Sequence, residues 1–69
     1  MDDRLWVAAF AAAIGGRPPT DAEVDAILAL AGEAAHRSLR TAAPVACWVA
    51  GVAGVPLAEA LEVAKTIGG

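Results

Sequence analysis

The centre of this sequence is residues 42–54, AAPVACWVAGVAG, a segment that contains no charged residue. At 100° per residue its large side chains fall on one stripe, Val45, Trp48, Val49 and Val52. The opposite side carries small residues, Ala46, Cys47, Ala50, Gly51 and Ala53. Because a helix that is apolar all round is typically buried, we expect the large stripe to fill the core. Trp48 should then be buried, and Gly51 should pack closely against another helix.

Local signals before this segment predict two further helices. Asp2 or Asp3 can cap the first helix, and Gly15-Gly16 can end it. Its large apolar residues recur at helical spacing and should anchor the core, Trp6, Phe10 and Ile14. Residues 17–19, Arg-Pro-Pro, form a connector because proline does not fit a helix interior.

The second helix is predicted to begin at a capping box, in which Thr20 and Glu23 each satisfy a backbone amide of the other. Its expected inward face consists of apolar residues at helical spacing, Val24, Ile27, Leu28, Ala31, Ala34 and Ala35. The expected outward positions are Asp21, Asp25, Ala29, Gly32 and His36. Residues 38–41 should separate this helix from the central one.

Prolines and glycines delimit the last two helices. Pro44 fits the first turn of the third helix, Gly54 fits its end, and Pro56 fits the start of a fourth. The inward stripe of the fourth helix is expected at Leu57, Ala60, Leu61, Ala64 and Ile67, and its end at Gly68-Gly69. The chain is thus predicted to be one all-α domain over residues 1–69. Four short helices can form either a small antiparallel bundle or an orthogonal array.

Composition narrows the classes of function. The formal charge of −3 and the pI of about 4.7 argue against nucleic-acid binding, which usually needs a basic patch. The uncharged run over residues 41–58 is at the short limit for a membrane span and contains prolines and glycines, so we expect no membrane partner. The acidic start Met1-Asp2-Asp3 lacks the basic region of a secretory signal, which predicts a cytoplasmic protein.

The chain is also short for a stable core, and most of its apolar residues are alanines that fill little volume. We therefore expect its stability to depend on a second copy of the chain or on a protein partner.

One polar cluster is a candidate binding site, namely His36, Arg37 and Arg40. If the second helix continues far enough, His36 and Arg40 are i,i+4 neighbours. Cations are favoured at a helix C-terminus, so the cluster can simply end the helix. Alternatively, it forms a docking patch for an acidic protein surface.

No catalytic, metal or cofactor site is predicted. One histidine cannot complete a metal site, and Cys47 is expected to behave as a small buried hydrophobe. Gly15-Gly16 is followed by Arg-Pro-Pro rather than by a helix start, so it is not a phosphate-binding loop. We therefore expect a protein that is not an enzyme.

The pattern Ala35-His36, Arg40, Ala42-Ala43-Pro44 and Gly51 resembles an uncharacterised family of small helical domains from actinobacteria. Members are often fused to, or encoded beside, molybdenum cofactor guanylyltransferase. Thr41 stands where the family has the first proline of a proline-alanine-alanine-proline segment. The resemblance is specific over residues 36–51, and it implies a role near molybdopterin guanine dinucleotide maturation or the enzymes that use this cofactor.

Two hypotheses follow for the function. The first is a non-catalytic interaction or accessory module that docks through His36, Arg37 and Arg40 on a molybdenum-cofactor protein. The second is a self-associating structural helical protein with no cofactor link, whose apolar faces are completed by a second copy.

Overall fold

The computed structural model of the chain describes residues 2–68, which form four helices. These are α1 (Asp3–Ala13), α2 (Asp21–Arg37), α3 (Ala42–Ala53) and α4 (Leu57–Ala64). No strand occurs within the described residues, which confirms the predicted all-α class. The fourth helix ends at Ala64, earlier than predicted. The predicted acidic start at Met1 and glycine end at Gly69 involve residues outside the described range.

The helix ends follow the local signals in the sequence. Asp2 caps α1, because its carboxylate accepts a hydrogen bond from the Leu5 N–H at 2.8 Å. Thr20 and Glu23 form the predicted capping box: the Thr20 hydroxyl accepts from the Glu23 N–H at 3.1 Å, and the Glu23 carboxylate accepts from the Thr20 N–H at 2.8 Å. Gly54 ends α3 in the left-handed region, at φ 70°, where glycine is favoured.

Helix α2 is at the centre of the packing, since both α3 and α4 lie against it. The buried hydrophobic residues in the described range are Ala11, Leu30 and Ala50. Leu30 is 3% exposed, and it is the one large side chain in this small core of residues 2–68. An ion pair between Arg4 and Asp21 joins α1 to the start of α2.

The predicted orientation of α3 is wrong. Trp48 is 68% exposed, and a side chain at Gly51 would meet no atom within 4 Å outside its own turn of helix. The small side of α3 faces inward instead: Ala50 is buried, and the Cys47 thiol lies 3.8 Å from the carbonyl oxygen of Ile27 on α2. Small side chains let two helices approach closely, and in this chain that contact is preferred over burial of the large stripe.

The predicted anchors of α1 are also exposed, whereas most of those of α2 are not. The rings of Trp6 and Phe10 stack on each other, with centroids 5.2 Å apart, and both are exposed, as is Ile14. On α2, Leu30 was not among the predicted inward residues but is buried, and Leu28 is exposed. The other predicted inward residues of α2 are half-buried, as expected: Val24, Ile27, Ala31, Ala34 and Ala35. The outward positions of α2 were predicted correctly, since all five are exposed.

The predicted inward stripe of α4 is half-buried, except for Ile67, which lies beyond the helix and is exposed.

Candidate interaction surface

An apolar groove runs between α3 and α4, with Leu30 of α2 among its lining residues and a cavity volume of about 330 Å³. We call it the α3–α4 groove. Every residue that lines it is apolar: Leu30, Ala46, Val49, Ala50, Ala53, Val55, Ala60, Val63, Ala64 and Ile67. The groove exists because α3 and α4 contribute mainly alanines, which pack against α2 but do not fill the space between the two helices. Such a groove can accept large apolar side chains.

The groove continues towards the C-terminal end of α2. A second depression of about 220 Å³ shares Ala46, Ala64 and Ile67 with it and reaches Arg37 and Ser38. The apolar groove therefore has a positively charged group near one end.

Arg37 is held in place by two contacts. Its Nε donates to the Glu33 carboxylate at 2.6 Å, and its Nη1 donates to the backbone carbonyl of Ile67 at 3.1 Å. The hydrogen bond from Arg37 lowers the pKa of Glu33. Arg37 thus ties α2 to the segment that follows α4, so this residue has a structural role whatever else it binds.

The other two residues of the predicted cluster, His36 and Arg40, lie on different elements of the structure. Because α2 ends at Arg37, Arg40 lies in the connector and is not an i,i+4 helical neighbour of His36. Both His36 and Arg40 are exposed. Within residues 2–68, neither takes part in an ion pair. Their side chains are therefore accessible to a partner.

A second exposed surface lies on α3. Val45, Trp48 and Val52 are exposed and do not line the groove; we call them the α3 outer face. These residues were predicted to lie in the core, so this surface was not expected from the sequence. The absence of any charge on either side of the helix gave no sign of which side faces solvent.

The Cys47 thiol lies in the contact between α3 and α2. Burial raises the pKa of the Cys47 thiol, which keeps the thiol protonated and weakly nucleophilic at neutral pH. Among residues 2–68 there is no group of three or more side chains suited to hold a metal ion. In the same range, each helix is too short or too polar to cross a membrane.

Comparisons with known proteins identify the family of the chain. A search of curated proteins and of solved structures found no match to this chain. A family model described as "Domain of unknown function (DUF6457)" matches residues 2–67, and the chain therefore belongs to this family.

Proposed function

We propose that this domain is a non-catalytic helical interaction module that binds a protein partner in the α3–α4 groove. The observation that carries the proposal is the imbalance between core and surface. Within the described residues, Leu30 is the one large hydrophobic side chain that is buried, whereas twelve large hydrophobic residues are exposed. Exposed apolar surface that is contiguous and concave marks a binding site more often than it marks a solvated surface.

The chemistry of the groove favours an amphipathic helix as the bound element. Its lining offers apolar contacts without polar groups, which suits helix side chains spaced at i, i+3, i+4 and i+7. At one end the groove reaches Arg37, and the exposed side chains of His36 and Arg40 lie nearby in sequence. An acidic residue at the corresponding end of the partner helix would therefore be attracted to this end of the groove.

We further propose that the partner is a protein that makes or uses the molybdopterin guanine dinucleotide cofactor, in the cytoplasm. This part rests on the resemblance of residues 36–51 to domains found beside molybdenum cofactor guanylyltransferase. The groove itself contributes the mode of binding, not the identity of the partner.

Titration calorimetry with purified proteins tests the proposal. The guanylyltransferase and a molybdoenzyme from the same organism are each titrated with the wild-type chain and with Val63→Glu. Val63 is 52% exposed and lines the groove, so a carboxylate there should weaken binding at least about tenfold.

Leu5→Glu is the matched control, because Leu5 is 61% exposed and lies on α1, outside the groove and away from its cationic end. It should bind as the wild type does, and circular dichroism should show both variants equally helical. If neither protein binds the wild-type chain, the molybdenum link is rejected. If Val63→Glu binds as tightly as Leu5→Glu, the groove is not the binding site.

A further inference from the structure

The chain exposes more surface than its mass requires. Its accessible surface is 5006 Å², and its mass is 6.9 kDa. The scaling of surface with mass gives about 4,000 Å² for a monomeric protein of this size. The excess of roughly 1,000 Å² is close to the ~800 Å² that each partner buries in a standard protein interface. An area of this size is what a stable complex with one further chain would cover.

The α3 outer face is suited to meet a copy of itself. In a twofold interface the same patch lies on both sides, so a charge near the axis would face its own like charge. Val45, Trp48 and Val52 lie within residues 41–58, which contain no charge. The charged side chains that share a depression with Gly51 are Arg17 and Glu23, and they are paired with each other. Trp48, the largest exposed side chain of this face, is of the type that most often anchors an interface.

Gly51 leaves space on α3 for the Trp48 side chain of a second copy. It lies in the interior of α3, where glycine is less favourable than alanine. Apart from the neighbouring turns of α3 itself, no atom of residues 2–68 lies within 4 Å of where its side chain would begin. Packing within one chain therefore does not require glycine at this position. On the helix, Gly51 is three residues after Trp48 and borders the same exposed face.

We propose that two copies of this chain form a symmetric dimer through their α3 outer faces, with the two α3 helices antiparallel. The twofold axis crosses the outer face of α3 at the level of residues 49 and 50 along the helix. In this register Trp48 of each copy lies over Gly51 of the other. Antiparallel α3 helices also bring opposite dipole ends together. The dimer leaves the α3–α4 groove open, so it goes beyond the proposed function and does not depend on it.

Sedimentation equilibrium tests the dimer across about 1 µM to 1 mM, the range in which small interfaces dissociate. Reducing agent is present so that Cys47 cannot link copies. The wild-type mass should rise from that of one chain towards that of two. The Gly51→Leu variant should remain helical. It should raise the dissociation constant of the dimer at least about tenfold, because leucine fills the space that Trp48 of the other copy would occupy.

Gly32→Leu is the matched control. Gly32 also lies inside a helix with no neighbour within 4 Å, but it is on α2, so the dimer should persist. Val52→Glu is a second variant that should disrupt the dimer. It decides the test if Gly51→Leu proves to be less helical than the wild type. In a Trp6→Phe background, the emission of Trp48 should shift to the blue as the concentration rises.

Three results would each overturn the proposal: a wild-type chain that stays monomeric throughout, a dimer that tolerates Gly51→Leu and Val52→Glu as well as it tolerates Gly32→Leu, or growth beyond two copies. A monomeric chain that still binds a partner in the groove would overturn the dimer alone. A dimer that binds neither molybdenum-cofactor protein would support it while the molybdenum link fails.

Discussion

Arg17 and Glu23 form a two-pronged ion pair between the connector after α1 and the first turn of α2. Nη1 of Arg17 donates to Oε1 of Glu23 at 2.8 Å, and Nη2 donates to Oε2 at 2.7 Å. The same carboxylate completes the capping box by accepting from the backbone of Thr20. The hydrogen bonds from Arg17 and then from Thr20 lower the pKa of Glu23 to about 2. The hydrogen bond to Glu23 in turn raises the pKa of Arg17. One carboxylate thus both starts α2 and fixes the connector that precedes it.

Acid should destabilise the fold through Glu23. A carboxyl group whose pKa is lower in the folded state contributes stability above its unfolded pKa, and this contribution is lost as the pH falls through the folded value. For Glu23 this window extends from about pH 4.5 down to about pH 2. Thermal melts followed by circular dichroism should therefore show the melting temperature of the wild type falling across this window, and Glu23→Gln should be less sensitive to acid.

Asp25→Asn is the control for this prediction, because Asp25 lies on the exposed side of the same helix and is outside the capping box. It should keep the acid sensitivity of the wild type. Equal acid sensitivity in Glu23→Gln and the wild type would contradict the prediction.

Leu30→Ala should destabilise the domain severely. Leu30 is the large side chain in the contact between α2 and the helices that lie on it, and removing it leaves a cavity. Such changes cost about 2–5 kcal/mol, a large share of the stability of a chain this short. Urea denaturation at low protein concentration measures the loss. Trp48→Ala is the control and should cost less than about 1 kcal/mol, since Trp48 is exposed. A larger cost for Trp48 than for Leu30 would mean that α3 faces the other way.

Gly51→Ala should stabilise the isolated chain. Alanine is favoured over glycine by about 1 kcal/mol inside a helix, and a side chain here meets no neighbour. The gain should appear as a higher urea midpoint in dilute solution. Gly54→Ala should instead lower the urea midpoint, because Gly54 has a positive φ that alanine adopts only with strain. If Gly51→Ala is destabilising in the monomer, another helix packs on this position.

Arg40→Gln should separate a helix-ending role from a binding role. Arg40 is exposed and lies outside α2, so the change in stability should be below about 0.5 kcal/mol. Binding of the molybdenum-cofactor protein should weaken about tenfold, and added salt should reduce the difference between the variant and the wild type. Arg4→Gln on α1 removes the same charge as a control. Equal binding by Arg40→Gln and the wild type at low and high salt would leave Arg40 without a role in docking.

Most limits of the helices could be predicted from the sequence because they depend on neighbouring residues alone; the exception is the end of α4, at Ala64. The Thr20 capping box, Gly54 after α3 and Pro56 before α4 each act within one turn of the chain. The His36, Arg37 and Arg40 cluster was only partly predictable. Whether its members share a helix face depends on α2 ending at Arg37, and Arg37 is held by Ile67, which is distant in sequence.

The burial of Leu30 is compatible with the apolar spacing of α2, although Leu30 was not predicted to face inward. It lies three residues after Ile27 and four before Ala34, so helical spacing alone also permits an inward face centred on it. Several apolar stripes on α2 satisfy this spacing, and the sequence does not rank them. The contact with α3 and α4 selects the one that includes Leu30.

The sequence by itself determined that the chain is helical, where most of its helices begin and end, and that its large apolar side chains are few. Only the tertiary structure decided which side of α3 faces α2. A helix that is apolar on every side has no amphipathic direction, so its orientation is set by the closeness of the contact it can make. Alanine and cysteine allow that contact, and Trp48 is consequently left on the surface.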